Sequence, residues 1–242
     1  MADKYITIAG TSYRYKKTDG GGDYTDCLTF TGETSEFTLA VGSNGAKEWD
    51  GTLYYSTDHN TWNVWDGTAI SSANKKLYLK GKGNTKFYTS KGAHLSLSAK
   101  AGCSGNIQTL LDWESPPTSI SIGNCYYNMF NGCTNLTTAP NLPATTLATG
   151  CYNSMFTRCT NLTTAPNLPA TTLADHCYQY MFLECTKLKL STTQTTEYKT
   201  PWRIPSSGTI SSEPSNWNAN MLTGTGGTFT GNPSINTTYY GA

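Results

Sequence analysis

Charge is what this sequence has least of. Only 14% of its 242 residues are Asp, Glu, Lys or Arg, against about 25% in ordinary soluble domains. The net charge is +1 and the pI about 7.5, which excludes an electrostatic grip on nucleic acid or on an anionic membrane. Long apolar runs are missing as well. No stretch approaches the roughly 18 residues of a membrane span, so no membrane insertion is expected. The opening MADKYITIAG has no apolar centre and no small-residue cleavage site, and does not read as a signal peptide. The three histidines, His59, His94 and His176, lie in no nucleophile elbow, zinc helix or triad context. The stretch DGGGD lacks the Lys of a phosphate loop. A glycan hydrolase would need two carboxylates roughly 5–9 Å apart in a cleft, and no pair stands out among the sparse acids. Catalytic, cofactor-binding and metal residues are therefore expected to be none.

What fills the gap is Thr, Gly, Ser, Asn and Tyr, a composition of turns, half-buried strands and uncharged hydroxyl surface. The fold class expected is mainly β, in four regions. Residues 1–22 form an arm ending in the Gly-rich KKTDGGGD. Residues 23–100 alternate apolar and polar residues between Gly, Asn and Asp clusters, which predicts an antiparallel Ig-like β-sandwich. The segments are CLTFTG, EFTLAVG, GTLYYSTD, NTWNVWDG, KKLYLKGKG, TKFYTS and HLSLSAK. Their lysines read as the solvated face of a strand, and Trp49, Trp62 and Trp65 as core. Residues 101–190 carry a repeat. Residues 191–242 are a Ser/Thr/Gly/Pro-rich cap and tail, with Trp202, Trp217 and Phe229 as anchors.

The repeat has a period of 26 residues: Cys125/Cys151/Cys177, Met129/Met155/Met181, Phe130/Phe156/Phe182, Cys133/Cys159/Cys185 and Leu136/Leu162/Leu188. A period in the twenties predicts a solenoid, in which stacking makes the core that no unit makes alone. LTTAPNLP places Leu136, Ala139 and Leu142 inward as a short strand. LATGCYNSMF spaces Leu147, Cys151, Met155 and Phe156 at helical intervals, which predicts a helical or 3-10 return. GNIQTLLDWESPPTSISI places Leu110 and Pro117 one period before Leu136 and Pro143, as a degenerate first coil.

Residues 125–150 and 151–176 differ at six of 26 positions, all near the cysteines: Tyr127/Asn153, Asn128/Ser154, Asn131/Thr157, Gly132/Arg158, Thr149/Asp175 and Gly150/His176. The third unit varies at the same places, with Gln179, Tyr180, Leu183 and Glu184. The unchanged part is expected to build the stack and the changed part to face outward. Two readings of that face stand side by side. It is a recognition face made of Tyr127, Asn128, Asn131, Asn153, Ser154, Thr157, Arg158, His176, Gln179, Tyr180 and Glu184, or it is solvated surface free to drift.

The eight cysteines fall mostly into two ladders with Cys-x7-Cys spacing. Zinc sites favour closer pairs, and a ladder of three cannot pair fully, so buried free thiols are expected. Cys27 and Cys103 could pair with each other. Asn135, Asn161 and Asn236 stand in Asn-x-Thr sequons, read here as turn residues of the repeat. Ser56–Trp62, STDHNTW, resembles the Asp-box turn. In that motif Ser56 and Asp58 tie a hairpin turn, Trp62 packs beneath, and Asn60 replaces the usual Gly.

The stretch MFNGCTNLTTAPNLPATTLATGCYNSMF resembles the BspA-like leucine-rich repeat, with its recurrent Phe-x-x-Cys-x-x-Leu core. The resemblance covers residues 101–190. It implies a short leucine-rich-repeat solenoid on a surface protein of gut bacteria or their phages. The function it implies is a non-enzymatic virion surface protein, acting as a fibre, adhesin or capsid decoration that binds host-surface or mucus glycans. The alternative is a bacterial cell-surface adhesin. The implied partners are other virion proteins, reached through the arm with YITIAGTSYRY, and further copies in a homo-oligomer.

Overall fold

The computed structural model describes residues 4–8, 11–15, 26–42, 49–87 and 94–242. It is mainly β, with almost no helix. Among the described residues thirteen strands are present: β1 (Lys4–Ile8), β2 (Thr11–Tyr15), β3 (Leu28–Gly32), β4 (Thr38–Val41), β5 (Thr52–Ser56), β6 (Thr61–Trp65), β7 (Ile70–Ser71), β8 (Lys76–Lys82), β9 (Leu95–Leu97), β10 (Ala101–Ser104), β11 (Leu190–Ser191), β12 (Thr200–Arg203) and β13 (Thr238–Gly241). They form a seven-stranded sheet in the order β10-β3-β8-β5-β6-β1-β2 and two three-stranded sheets, β7-β4-β9 and β11-β13-β12. Every pairing is antiparallel except β1 with β6. Among the described residues no helix is long and apolar enough to cross a membrane.

The alternation in sequence sets which side of each strand is buried. Leu28 and Phe30 of β3, Leu77 and Leu79 of β8, Leu53 of β5 and Trp65 of β6 join Leu39 and Val41 of β4 and Leu95 and Leu97 of β9 in one core. Trp49 stacks between Trp65 and Phe87, at 5.1 and 5.7 Å between ring centroids.

Several expectations are corrected here. Lys4–Ile8 and Thr11–Tyr15, expected within a separate arm, are antiparallel strands of the seven-stranded sheet. Tyr5, Ile6 and Thr7 pair with Thr61, Trp62 and Asn63, which satisfies the β6 edge that would otherwise be open. The rest of the arm lies outside the described residues. Thr85–Phe87 of the expected TKFYTS strand is not extended in a sheet; Thr85 is held instead by Asp50, and residues 88–90 lie outside the described residues. The solvated-face reading fails at Lys80, which is 3% exposed. Its ammonium sits 4.1 Å from the Trp62 ring centroid and 3.9 Å from that of Trp113. The alternation that exposes one strand face is reversed here because two indoles cover it.

The Asp58 turn is built as its residues suggest, with one change. Asp58 accepts from the Ser56 hydroxyl at 2.9 Å and from the Asn60 and Thr61 N–H groups at 2.8 and 2.7 Å. Partial burial pushes its carboxyl up, but these donors outweigh that and hold it at about 2. The left-handed residue is His59, not Asn60.

The repeat region stacks unit on unit. The N–H groups of Tyr126, Asn128, Phe130 and Gly132 donate to the carbonyls of Cys151, Asn153, Met155 and Thr157. Those of Tyr152, Ser154, Phe156 and Arg158 donate to Cys177, Gln179, Met181 and Leu183. The intervening residues do something else. Met129, Asn131 and Cys133 donate three residues back, to Tyr126, Asn128 and Phe130. One N–H in two thus holds the neighbouring unit and the other closes a turn.

This is not the expected helical return. A helix would consume its N–H groups internally and leave none for the next unit. The chain instead turns every four residues, with left-handed residues at Asn124, Asn128 and Gly132, again at Gly150, Ser154 and Arg158, and again at His176, Tyr180 and Glu184. Over nine residues a period of four and a period of 3.6 bury the same positions. The expected LTTAPNLP strand is also corrected: over 136–143 only isolated parallel bridges form, Leu136 with Ala101 and Asn141 with Asn106. Pro140, Pro143, Pro166 and Pro169 lack the N–H groups a continuous ladder needs.

The rung below Leu136 is not formed by Leu110. Leu136 bridges Ala101, and Asn141 bridges Asn106, while Leu110 sits in a 3-10 turn over Ile107–Leu110. β10 pairs with β3 on one side and with the repeat on the other. Phe87 and Leu95 likewise donate to Cys125 and Met129. The sheet region thereby supplies the rung below the first repeat, and one core runs through both.

At the far end the sequence hid a further rung. Tyr178, Tyr180, Phe182 and Glu184 donate to Trp217, Ala219, Met221 and Thr223. Trp217 therefore stands where Cys177 stands one unit earlier, 40 residues on rather than 26 (217 − 177). The extra chain carries β11, β12 and the turn at the cis peptide Ile204–Pro205. NMLTGT at 220–225 parallels NMFNGC at 128–133, and that likeness was the available signal.

Candidate functional site: the varied face of the stack

Inside the stack identical side chains lie over one another. Tyr126, Tyr152 and Tyr178 stack at 5.7 and 5.9 Å, and Phe130, Phe156 and Phe182 at 5.5 and 5.7 Å, all within 10° of parallel. Such contacts add about 0.5–1.5 kcal/mol per pair beyond the area they bury. The columns end on different rings: Phe30 of β3 tilts against Phe130, and Trp217 meets Tyr178 edge-on.

Both cysteine ladders face this core, and all eight thiols are buried and free. Cys27 and Cys103, which could have paired, do not. Burial pushes the thiols of Cys125, Cys133, Cys177 and Cys185 up to about 12 and raises Cys103, Cys151 and Cys159 as well. Cys159 and Cys185 donate to the carbonyls of Phe130 and Phe156 one unit below, each at 3.0 Å. These thiols are protonated packing groups that help hold the rungs together. Cys27 lies 3.4 Å from His59 Nε2. Burial lifts its thiol to about 11, so the pair does not present a thiolate nucleophile.

The varied residues form columns on the turn side of each rung, but they do not all face outward. Ser154 and Thr157 are buried. The Ser154 hydroxyl donates to Asn153 Oδ1 at 2.7 Å, and that of Thr157 to the Tyr180 carbonyl at 2.7 Å. Asn153 donates to Gln179 Oε1 at 3.0 Å, and Asn131 to Asn128 Oδ1 at 2.9 Å. The Asn128 carbonyl lies 3.0 Å from His94 Nδ1. Arg158 and Glu184, both exposed, pair at 2.7 Å. Tyr127 and His176 are half-buried, and the His176 N–H donates to the Ser215 carbonyl at 3.2 Å.

Much of the variation is therefore spent on neighbouring rungs. Asn153 and Gln179 are equivalent positions one unit apart, as are Arg158 and Glu184, and each pair is complementary. The face still offers a ligand the Tyr180 ring, the His176 imidazole and the outer edges of Arg158, Gln179 and Glu184. Compared with known proteins, the chain matches no family model, no curated protein and no solved structure.

The arrangement can stack on rings and exchange neutral hydrogen bonds. Among the described residues no group of three or more His, Cys, Asp or Glu could hold a metal ion. The sequon asparagines are engaged in the fold: Asn135 donates to the Leu97 carbonyl, Asn161 to that of Thr134 and Asn236 to that of Ile210. Sequence reasoning missed one polar surface altogether, the end of the sheet region around Asn63 and Asp66.

Proposed function

We propose that this chain is a non-enzymatic structural and binding protein of the particle exterior. In this reading an Ig-like β-sandwich runs into a short BspA-like leucine-rich-repeat solenoid closed by a C-terminal cap. It is carried on a phage surface as a fibre, adhesin or decoration that touches host-surface or mucus glycans. The observation that carries the reading is the rung-to-rung ladder that the described residues form between Phe87 and Thr223 on a single core. A stack of that kind is a stiff spacer that holds outward residues at fixed intervals. The 26-residue unit, which resembles BspA-like repeats, is what supports reading it as a surface protein. β2, the outer strand of the seven-stranded sheet, is the edge through which other virion proteins or further copies would dock.

The test is mass spectrometry of purified phage particles beside washed host cells from the same source. Many copies per particle are expected. Recovery in the cell-envelope fraction alone would replace this reading with that of a bacterial cell-surface adhesin.

A further inference from the structure

Apart from the stack, the sheet region has an open groove of about 550 Å³ where the end of β6, the 66–68 turn and the edge strand β7 meet. That volume lies within the roughly 300–1,000 Å³ usual for ligand sites. Its polar groups come from Thr57, Asn63, Asp66, Thr68 and Ser71, and its ring from Tyr55. Val64, which is 41% exposed, adds an aliphatic patch.

The groove is held in shape by its own turn. Trp65 Nε1 donates to the Thr68 carbonyl at 2.8 Å, and the Thr68 N–H and hydroxyl donate to Asp66 Oδ1 at 2.9 and 2.7 Å. This fixes the Asp66 carboxylate and leaves Oδ2 to accept from a ligand. The side chains of Thr57, Asn63 and Ser71 make no hydrogen bond among the described residues. Among the described residues neither Lys nor Arg lines the groove. A fixed anion without a cation repels acidic ligands, and so polar a lining does not suit a lipid.

We propose that this groove binds a neutral oligosaccharide, with the Tyr55 ring against the apolar face of a sugar and Asp66 and Asn63 on its hydroxyls. Ring stacking plus a few fixed polar groups is what such a ligand requires. The proposal rests on the glycan-binding part of the function above and not on the virion location. It moves the contact from the varied rungs to the sheet region.

Titration calorimetry on the full chain tests it, using neutral tri- and tetrasaccharides ending in glucose, galactose or N-acetylglucosamine and a sialylated counterpart. At least one neutral sugar should bind, with the sialylated one at least tenfold weaker. Asp66→Asn keeps an acceptor for Thr68 and so preserves the turn, and should weaken binding tenfold or more. Tyr55→Ser should do the same, with melting temperature as the check on folding. Absence of binding by every neutral sugar overturns the groove, as does unchanged affinity in Asp66→Asn. If binding is lost instead in Tyr180→Ser and kept in both groove variants, the groove proposal falls while glycan binding by the stack stands.

Discussion

The sheet region and the stack bury similar residues yet satisfy their backbones differently. In the sheet, strands pair mostly antiparallel and often with strands distant in the chain, as β3 does with β8 and β10, and Leu, Phe and Trp interlock at irregular positions. In the stack, each repeat holds the next through every second N–H, 25 residues along the chain from Tyr126 to Cys151 and from Tyr152 to Cys177, and identical side chains lie over one another. The difference teaches where variation is permitted. A sheet residue can change with its cross-strand partner. A stack residue on the core side must suit identical neighbours above and below, so Cys, Tyr, Met and Phe recur. A residue on the turn side must suit a neighbour that has also changed, and Arg158 with Glu184 is the result.

Alkali should separate the two regions most sharply. Six of the eight buried thiols belong to the stack, and two, Cys27 and Cys103, to the sheet region. Their folded pKa values are raised, several to about 12, from an ordinary value of 9.0. Below pH 9 both states keep their protons and nothing changes. Above it the unfolded chain releases protons that the folded chain retains, so stability falls as pH rises from about 9 towards 12. Each such thiol removes about 1.4 kcal/mol per pH unit in that window. Urea midpoints measured from pH 7 to 11 should be flat and then drop steeply. Hydrogen exchange should find amides of residues 125–185 exposed before those of β3, β5 and β8. Equal loss in both regions would mean the thiols do not govern it.

What the sequence made legible follows the same division. The period, the inward Cys, Met and Phe and the sheet strands could be read because each depends on local alternation or strict recurrence. The left-handed turns could not, because four-residue and 3.6-residue spacing coincide over so short a stretch. Leu110 was misplaced because the 3-10 turn and the loop to Trp113 shift the register before Ile120 resumes it. The last rung was hidden by 14 additional residues (40 − 26). Of the candidate face, position was legible and orientation was not. Ser154 and Thr157 differ between copies just as Arg158 does, and only the rung above shows that they are covered.

Two tyrosines in one column offer a finer contrast. Tyr126 Oη donates to Gln108 Oε1 at 2.9 Å, at the junction with the sheet region. Tyr152 Oη, one rung on, is buried and makes no hydrogen bond. Tyr126→Phe should cost about 1–3 kcal/mol by leaving a buried amide oxygen without its donor. Tyr152→Phe should be neutral or stabilising. Chemical denaturation of the two variants in parallel decides it, and equal losses would show that the column hydroxyls are equivalent.

The smallest effect concerns a single backbone angle. Gly150 and His176 occupy the same place in successive rungs, at φ 63° and 58°. The first is free to adopt that conformation, while the second, with a Cβ, is strained by roughly 1 kcal/mol. The His176 N–H bond to the Ser215 carbonyl survives any substitution except proline. His176→Gly should therefore recover part of that strain, offset by the greater freedom of glycine in the unfolded chain. The net expectation is a rise in melting temperature of at most about 2 °C for a chain of this length. His176→Val, β-branched and poorly suited to positive φ, should lower it by at least as much. If the two variants melt alike, the ring of His176 and not its backbone decides the fit of the third rung against the fourth.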